Sequence, residues 1–281
     1  MSDTFSIAGV QMEVVSGEGN LNRMDKYLEQ ILNQQPEVEM VVFSELCVFG
    51  NDPKWAQTIP GAITQKLGQL AKKYKIWLIP GSINETTPDG MYNTALVYNP
   101  QGEIITQYRK MYPWRPLEKC LPGNQFCIFD IPGRIRIGLC ICYDQWFPEV
   151  TRQLTWMGAD VIVCPTMTGT ADRKLEVILS QANAISNQIY FMSINGLGHG
   201  GNGQSILVDP EGLVLDTQIG SEAILTLEIN AQKVKDVRER GTLGVSQALK
   251  SFKEGNISFP VYSEGIKNGE GFKKLNALMH K

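Results

Sequence analysis

The chain has 281 residues and a mass of 31.3 kDa, which is enough for one or two domains with a large core that needs neither disulfides nor a structural metal. Its 26 basic and 29 acidic side chains give a formal charge of −3, and this slightly acidic balance argues against a nucleic-acid partner. No run of about 18 apolar residues predicts a membrane span, and the first residues lack the basic and long apolar regions of a signal peptide. We therefore expect a cytoplasmic protein.

Apolar stretches of strand length alternate with amphipathic helical stretches through the first half of the chain. The pattern predicts strands at residues 5–12, 40–45 and 76–83, and helices at residues 21–34 and 62–75. A hairpin follows, with strands at residues 93–99 and 103–110 joined by a Pro-Gln-Gly turn. Residues 111–125 contain three prolines and one glycine, which predicts a long loop of the kind that often carries function.

The second half begins with another hairpin, whose strands are predicted at residues 126–131 and 135–142. Helices are predicted at residues 148–157, 171–187 and 232–240, and strands at residues 161–165, 189–195 and 223–229. A third hairpin has strands at residues 203–209 and 213–216. This order predicts an α/β fold with mixed sheets whose outer faces carry helices, in a single domain at residues 1–262. The Gly- and Lys-rich tail at residues 263–281 is expected to be peripheral or partly disordered.

Cys142 ends a predicted strand, directly before a turn and a helix that Pro148 can open. A thiol in this position lies near backbone N–H groups that could stabilise a thiolate or an oxyanion. The alternative is that Cys142 is one more buried structural thiol. The 6 cysteines form no CxxC pair, and their apolar surroundings suit a reducing compartment.

A nucleophilic cysteine needs a base, and the chain has only 2 histidines. His280 is next to the last residue and His199 lies in a glycine-rich stretch, so neither is an attractive partner. Glu45 and Lys110 each end an apolar predicted strand and are better candidates. Taken singly, Glu45 could be a strand-end loop residue and Lys110 an exposed charge on an edge strand.

These residues belong to a series of short motifs along the chain. The motifs are Ala8-Gly-Val-Gln11, Glu45, Pro80-Gly-Ser82, Tyr-Arg-Lys110, Leu117-Glu-Lys-Cys-Leu-Pro-Gly-Asn124, Cys-Tyr-Asp144, Phe-Pro-Glu149, Gly158-Ala-Asp160 and Asp209-Pro-Glu-Gly212. In this order they resemble the nitrilase superfamily of carbon–nitrogen hydrolases over roughly residues 5–260. The resemblance implies a four-layer α-β-β-α sandwich, a catalytic triad at Glu45, Lys110 and Cys142, and a second glutamate at Glu118.

The resemblance also implies an activity, hydrolysis of a small amide or N-carbamoyl C–N bond with release of ammonia. The acyl group stays open, because the motifs are mixed. Residues 144–149 look like N-carbamoylputrescine amidase, whereas residues 110–118 look more like aliphatic amidases and formamidases. The aspartate at position 144 is more typical of amidases and carbamoyl hydrolases than of true nitrilases.

The hypothesised reaction passes through a thioester on Cys142, with Glu45 as the general base. Lys110 and the backbone N–H of Tyr143 would stabilise the oxyanion, and Glu118 would position the substrate or Lys110. The residues expected to bind substrate are Tyr143, Trp146, Trp114 and Thr166.

Three other functions remain open: a nitrilase acting on nitriles, a catalytically silent metabolite-binding member of the superfamily, and a thiol-redox protein. The redox interpretation is weak, because strand geometry holds Cys140 and Cys142 too far apart to bond easily. No cofactor is expected, since the GxGxxG pattern at residues 196–201 precedes a predicted strand rather than a helix. No metal is expected either, as HExxH and paired CxxC motifs are absent. The resemblance implies a homodimer or higher homo-oligomer that forms through helix 148–157.

Overall fold

The structure, a computed structural model, describes residues 4–259. The strands are β1 (Thr4–Gln11), β2 (Glu13–Val14), β3 (Met40–Phe43), β4 (Trp77–Ile79), β5 (Ser82–Thr87), β6 (Gly90–Tyr98), β7 (Ile104–Arg109), β8 (Cys127–Ile131), β9 (Ile135–Leu139), β10 (Val161–Thr166), β11 (Tyr190–Asn195), β12 (Leu197–Gly198), β13 (Gly203–Val208), β14 (Val214–Ile219) and β15 (Ala223–Asn230). The α-helices are α1 (Asn20–Gln34), α2 (Ala62–Tyr74), α3 (Pro148–Trp156), α4 (Arg173–Asn187), α5 (Ala231–Arg240) and α6 (Ala248–Glu254). Two short 3-10 helices span Pro53–Trp55 and Cys142–Trp146.

Most strands belong to two mixed sheets. The first sheet has seven strands in the order β15-β1-β3-β4-β6-β5, with β7 paired to β6. The second sheet has six strands in the order β14-β13-β11-β10-β9-β8. Parallel pairs form the centre of each sheet and antiparallel pairs form its edges. The strands β2 and β12 form a separate short parallel pair.

The two sheets pack face to face, and helices cover their outer faces. The central core contains side chains of β1 and β3 from the first sheet and of β9, β10 and β11 from the second. On the outer side of the first sheet, α1 and α2 bury their apolar faces. On the outer side of the second sheet, α3 and α4 do the same. The predicted α/β four-layer α-β-β-α sandwich is therefore confirmed.

Local burial follows from the sequence pattern of each element. All six residues of β10 are buried, as expected for a central parallel strand that is covered on both faces. Along α1, Met24, Leu28 and Ile31 are buried, and their spacing places them on one face of the helix. None of the helices within residues 4–259 is long and apolar enough to span a bilayer.

The predicted strand 76–83 is two strands in the structure, β4 and β5. Pro80 cannot donate a ladder hydrogen bond, and Gly81 has a φ of 79°, a conformation that glycine adopts readily. At Gly81 the backbone also comes so close to Ser44 that an added Cβ would lie 1.8 Å from the Ser44 carbonyl oxygen. The break between the two strands therefore packs against the residue directly before Glu45.

Two other predicted strands are too long at their ends, because β3 stops at Phe43 and β9 stops at Leu139. Glu45 and Cys142 consequently lie in turns beyond their strands. Helix α6 and the short pair β2–β12 were not predicted. The other predicted strands and helices are present with small shifts at their ends, and the predicted tail at residues 263–281 lies outside the described residues.

Replacing Gly81 by Ala should destabilise the protein, because the new methyl group would overlap the Ser44 carbonyl oxygen. We expect the free energy of unfolding, measured in urea, to fall by about 3 kcal/mol. The control is Gly133→Ala, where φ is 71° but nothing lies within 4 Å of an added Cβ. That control should lose only the conformational cost of about 1–2 kcal/mol. Equal losses in the two variants would show that the contact with Ser44 does not matter.

Candidate active site

Glu45 lies two residues beyond the end of β3. Its backbone N–H donates to the carbonyl oxygen of Thr166 at 3.2 Å, and its Oε1 accepts from Asn93 Nδ2 at 2.8 Å. The residue is only 1% exposed. A carboxylate that is so deeply buried needs strong polar partners, because water no longer solvates its charge.

Lys110 supplies the main partner. It directly follows β7, and its backbone N–H donates to the carbonyl oxygen of Asn93 at 2.9 Å. Its Nζ lies 2.7 Å from Glu45 Oε1 and 2.9 Å from Glu118 Oε1, and the residue is 1% exposed. An ammonium group is thus enclosed between two carboxylates inside the protein.

Glu118 reaches this position because the predicted long loop folds around it. Glu118 Oε2 accepts from the backbone N–H of Trp114 at 2.6 Å. The Arg115 guanidinium donates to the carbonyl oxygens of Glu118 and Cys120, which holds the following backbone in place. The loop between β7 and β8 therefore contributes a buried charge to the cluster.

Cys142 is the first residue of the 3-10 helix that follows β9. Its φ of 47° is unusual for a residue other than glycine and marks a strained turn of the kind found at functional sites. Asp144 holds this turn: its carboxylate accepts from the Ile141 N–H at 2.9 Å, the Tyr108 hydroxyl at 2.7 Å and the Tyr112 N–H at 2.9 Å. These bonds tie the thiol-bearing turn to β7 and to the start of the long loop.

A polar face of α4 supports the same turn from the other side. Ser180 Oγ donates to Gln145 Oε1 at 3.0 Å, and Asn183 Nδ2 donates to the Gln145 carbonyl oxygen at 2.9 Å. The Cys142 Sγ lies 3.4 Å from the hydroxyl of Thr168, two residues beyond β10. Asn195 fixes Thr168 by accepting from its N–H at 2.8 Å and donating to its carbonyl oxygen at 2.9 Å.

Burial and neighbouring charges set the ionisation of the three central groups. Burial raises the pKa of Glu45 to about 7; the Lys110 charge opposes this rise, and the Glu118 charge adds to it. Burial also raises the pKa of the Cys142 thiol well above its ordinary value, and the charge of Glu45 adds to the rise. For Lys110, burial lowers the pKa, but the charges of Glu45, Cys142 and Glu118 outweigh burial and hold the pKa well above its ordinary value. At rest the site therefore contains a neutral thiol, a permanent ammonium and a carboxyl group poised near neutral pH.

Cys142 opens into a cavity of about 10 Å³, close to the smallest size that holds one water molecule. The residues that line this cavity are Trp114, Cys142, Tyr143, Thr168, Asp172 and Glu176. The space beside the thiol is therefore bounded by two aromatic side chains, two acidic side chains and Thr168.

The residues expected to bind substrate are placed differently from one another. Trp114 and Tyr143 line the cavity, whereas Trp146 donates its indole N–H to Glu176 Oε1 at 3.2 Å. Thr166 does not line the cavity. Its hydroxyl donates to the Cys164 carbonyl oxygen at 3.0 Å. Thr166 contributes to the site through its backbone carbonyl oxygen, which accepts the hydrogen bond from the Glu45 N–H.

Three cavity residues, Thr168, Asp172 and Glu176, were missed from the sequence. One signal could have indicated Glu176. The buried face of α4 carries polar residues at helical spacing, which is unusual for a helix that packs on a sheet. These buried polar residues are Glu176, Ser180, Asn183 and Asn187.

Other sequence motifs lie outside this cluster. The glycine-rich stretch after β11 leads into strand β13, as predicted, and not into a helix. His199 donates its backbone N–H to the Val14 carbonyl oxygen beside the short β2–β12 pair. Within residues 4–259, no group of three or more His, Cys, Asp or Glu side chains is arranged to hold a metal ion.

Sequence comparison extends this description. Residues 6–239 match the family model described as carbon-nitrogen hydrolase. A formamidase from Bacillus cereus (strain B4264) is 34% identical over 194 residues, which cover 63% of this chain and 58% of the relative. The match thus spans less than two thirds of the curated relative's length.

Solved structures share the fold. A member of branch 10 of the nitrilase superfamily from Saccharomyces cerevisiae has a TM-score of 0.79 and 27% identity, with 86% of this chain and 96% of that chain covered. A Cys-to-Ala variant of the amidase from Nesterenkonia sp. AN1, in complex with butyramide, has a TM-score of 0.73 and 25% identity, with 84% and 94% covered. Another structure of that amidase shows the result of Michael addition of acrylamide at its active-site cysteine.

Proposed function

This chain belongs to the carbon–nitrogen hydrolase family, and we propose that it hydrolyses the C–N bond of a small amide or N-carbamoyl compound through a thioester on Cys142. The proposal rests on the position of Lys110. Its ammonium lies between the carboxylates of Glu45 and Glu118 and acts electrostatically on the thiol of Cys142. A base, a fixed positive charge and a nucleophile thus share one buried site.

The first step is attack of sulfur on the amide carbonyl carbon. Glu45 Oε2 is buried and has no hydrogen-bond partner among residues 4–259, so it is free to accept the thiol proton. Because the pKa of Cys142 is raised by burial, a free thiolate is costly, and proton transfer to Glu45 accompanies attack rather than preceding it.

The charge that forms on the carbonyl oxygen needs donors already in place. Lys110 provides one, since its pKa stays well above the ordinary value and the group remains an ammonium. The backbone N–H of Tyr143 provides a second, because the first N–H groups of a helix have no acceptor within it. A lysine fits this task better than a histidine, whose charge would vary near neutral pH.

Collapse of the tetrahedral intermediate breaks the C–N bond and leaves an acyl thioester on Cys142. Glu45 returns the proton to the departing nitrogen, so ammonia leaves as a neutral molecule. Glu45 then takes a proton from water as the water attacks the thioester and passes that proton to the departing sulfur, so the carboxylic acid leaves and the free thiol is regenerated. Glu118 is a positioning residue here, since it contacts Lys110.

Relatives with amidase activity support this chemistry. One solved amidase reacts with acrylamide at its active-site cysteine, and its Cys-to-Ala variant binds butyramide. A formamidase is among the similar curated proteins.

A reduced thiol is required, and all six cysteines are free. They are Cys47, Cys120, Cys127, Cys140, Cys142 and Cys164. We therefore assign the reaction to a reducing compartment such as the cytoplasm.

Replacing Cys142 by Ala should abolish ammonia release from formamide, propionamide and N-carbamoylputrescine and leave the protein folded. Cys127→Ala, which removes another buried thiol away from the cavity, should keep the activity. Mass spectrometry of the wild-type protein with a slow amide should show an acyl adduct on Cys142. Undiminished turnover by Cys142→Ala would remove the assignment, and consumption of nitriles instead of amides would identify a nitrilase.

The pH dependence of kcat/KM should show an acid limb at about 7, because Glu45 acts only when unprotonated and its pKa is raised to about 7. The charge of Glu118 contributes to that rise, so Glu118→Gln should lower the pKa of Glu45 and move the limb to lower pH. Steady-state kinetics between pH 4 and 9 measure the acid limb of the wild-type protein and that of Glu118→Gln. A wild-type limb near 4.5, or a shift upward in the variant, would exclude Glu45 as the base.

We also propose that two copies of the chain pack along α3 and the adjacent α4. Three large apolar residues of α4 are exposed to solvent, Leu175 by 51%, Ile178 by 62% and Ile185 by 43%, and a partner would cover them. Sedimentation should give about twice the 31.3 kDa of one chain, and Ile178→Lys should lower it towards one chain. Ile105→Lys, at an exposed position on β7 of the first sheet, should not. A monomeric wild-type protein would end this proposal.

A further inference from the structure

Glu176 is a buried carboxylate on the cavity wall that the reaction described above does not use. It is 2% exposed and lines the same cavity as the Cys142 thiol. Its charge acts on that thiol, which places the two groups close together. Carboxylates are rarely buried without a specific role for their charge or their hydrogen-bonding capacity.

Neighbouring residues hold Glu176 in place but leave acceptor capacity free. Oε1 accepts from the Trp146 indole N–H at 3.2 Å, and Oε2 accepts from Arg173 Nη1 at 3.1 Å. Arg173 is fully buried and is itself held by Ser193 Oγ and the Gln204 carbonyl oxygen. A carboxylate has about four acceptor positions, so each oxygen can take a further donor from the cavity side.

The geometry of the proposed reaction determines which part of a bound substrate lies next to Glu176. The departing nitrogen must lie at Glu45, and the carbonyl oxygen must lie at Lys110 and the Tyr143 N–H. The acyl substituent then points to the remaining wall, which is formed by Trp114, Thr168, Asp172 and Glu176. The two charged residues that line the cavity are both acidic, so this wall disfavours an anionic acyl group.

We propose that Glu176 determines acyl specificity by accepting a hydrogen bond from a donor on the acyl group, so that the substrates are small amides with an O–H or N–H beside the carbonyl. This inference rests on the proposed function. An acyl group of hydrocarbon alone would leave the free lone pairs of a buried carboxylate facing apolar surface, which is unfavourable. A neutral hydroxyl or amino donor, or an ammonium, would satisfy them. Trp146 is then a positioning residue that acts through Glu176.

Three amides of nearly equal size distinguish acyl groups with a hydrogen-bond donor from acyl groups without one: propionamide, glycolamide and glycinamide. They differ in one terminal group, which is a methyl, a hydroxyl or an ammonium. The measurement is kcat/KM for ammonia release by the wild-type protein, with each value divided by the alkaline hydrolysis rate of that amide. Glycolamide and glycinamide should each exceed propionamide by about tenfold or more. Equal values, or a preference for propionamide, would overturn the inference and leave amide hydrolysis itself established.

Variants test whether Glu176 causes the preference. Glu176→Gln keeps the size and removes the charge, and the ratio of glycinamide to propionamide should fall by about tenfold. Glu228→Gln removes an equal charge from an exposed position on β15 and should leave the ratio unchanged. An unchanged ratio in Glu176→Gln would overturn the assignment.

Glu176→Gln also leaves Arg173 without its ion pair, and the variant could fail to fold. Trp146→Phe keeps that ion pair and removes only the indole donor to Glu176. It should lower the glycolamide-to-propionamide ratio, mainly through KM. An unaltered ratio in a folded Trp146→Phe protein counts against the positioning role. Hydrolysis of none of the three amides by the wild-type protein would contradict the proposed function instead.

Discussion

A buried ammonium group between two buried carboxylates is the constraint on which the site depends. Lys110 Nζ is within 3 Å of oxygens of both Glu45 and Glu118, and none of the three side chains is substantially solvated. Removing Lys110 would leave two uncompensated negative charges in a region of low polarity, whereas removing either glutamate would leave one balanced ion pair. Burial, with a further contribution from the Glu118 charge, outweighs the Lys110 charge and places the pKa of Glu45 near neutral pH.

The cluster and the nucleophile come from different sheets, so the packing of the two sheets sets their separation. Glu45 and Lys110 follow β3 and β7 of the first sheet, whereas Cys142 follows β9 of the second. Two hydrogen bonds cross between them near the site. One joins the Glu45 N–H to the Thr166 carbonyl oxygen, and the other joins the Tyr108 hydroxyl to Asp144. Because these bonds join buried groups of the two sheets, they hold Glu45 and Lys110 in a fixed position relative to the Cys142 turn.

The second sheet adds a polar wall where a helix normally presents hydrocarbon. On α4 the face turned towards Cys142 carries Glu176 with its Arg173 partner, and further along it Ser180 and Asn183. Ser180 and Asn183 bind the 3-10 helix that starts at Cys142, while Glu176 faces the cavity. A single helix thus stabilises the strained turn at Cys142 and shapes the cavity beside its thiol.

Strand and helix periodicity in the sequence was sufficient for the layer architecture, because each element buries one face or both. Strand ends were also informative: a carboxylate, a lysine and a cysteine after apolar strands mark an edge where polar groups converge. Local pattern could not show that the chain breaks at Gly81, since that break depends on the contact with Ser44, which is distant in sequence. Nor could it show that Thr168, and not Thr166, lines the cavity, because Thr168 lies beyond β10 and is held there by the side chain of Asn195, which is distant in sequence. The chain's residue types determined which chemistry was available. Only the packing of two sheets and one helix decided which groups touch, since that packing brings together residues more than 100 positions apart and buries their charges in a common space.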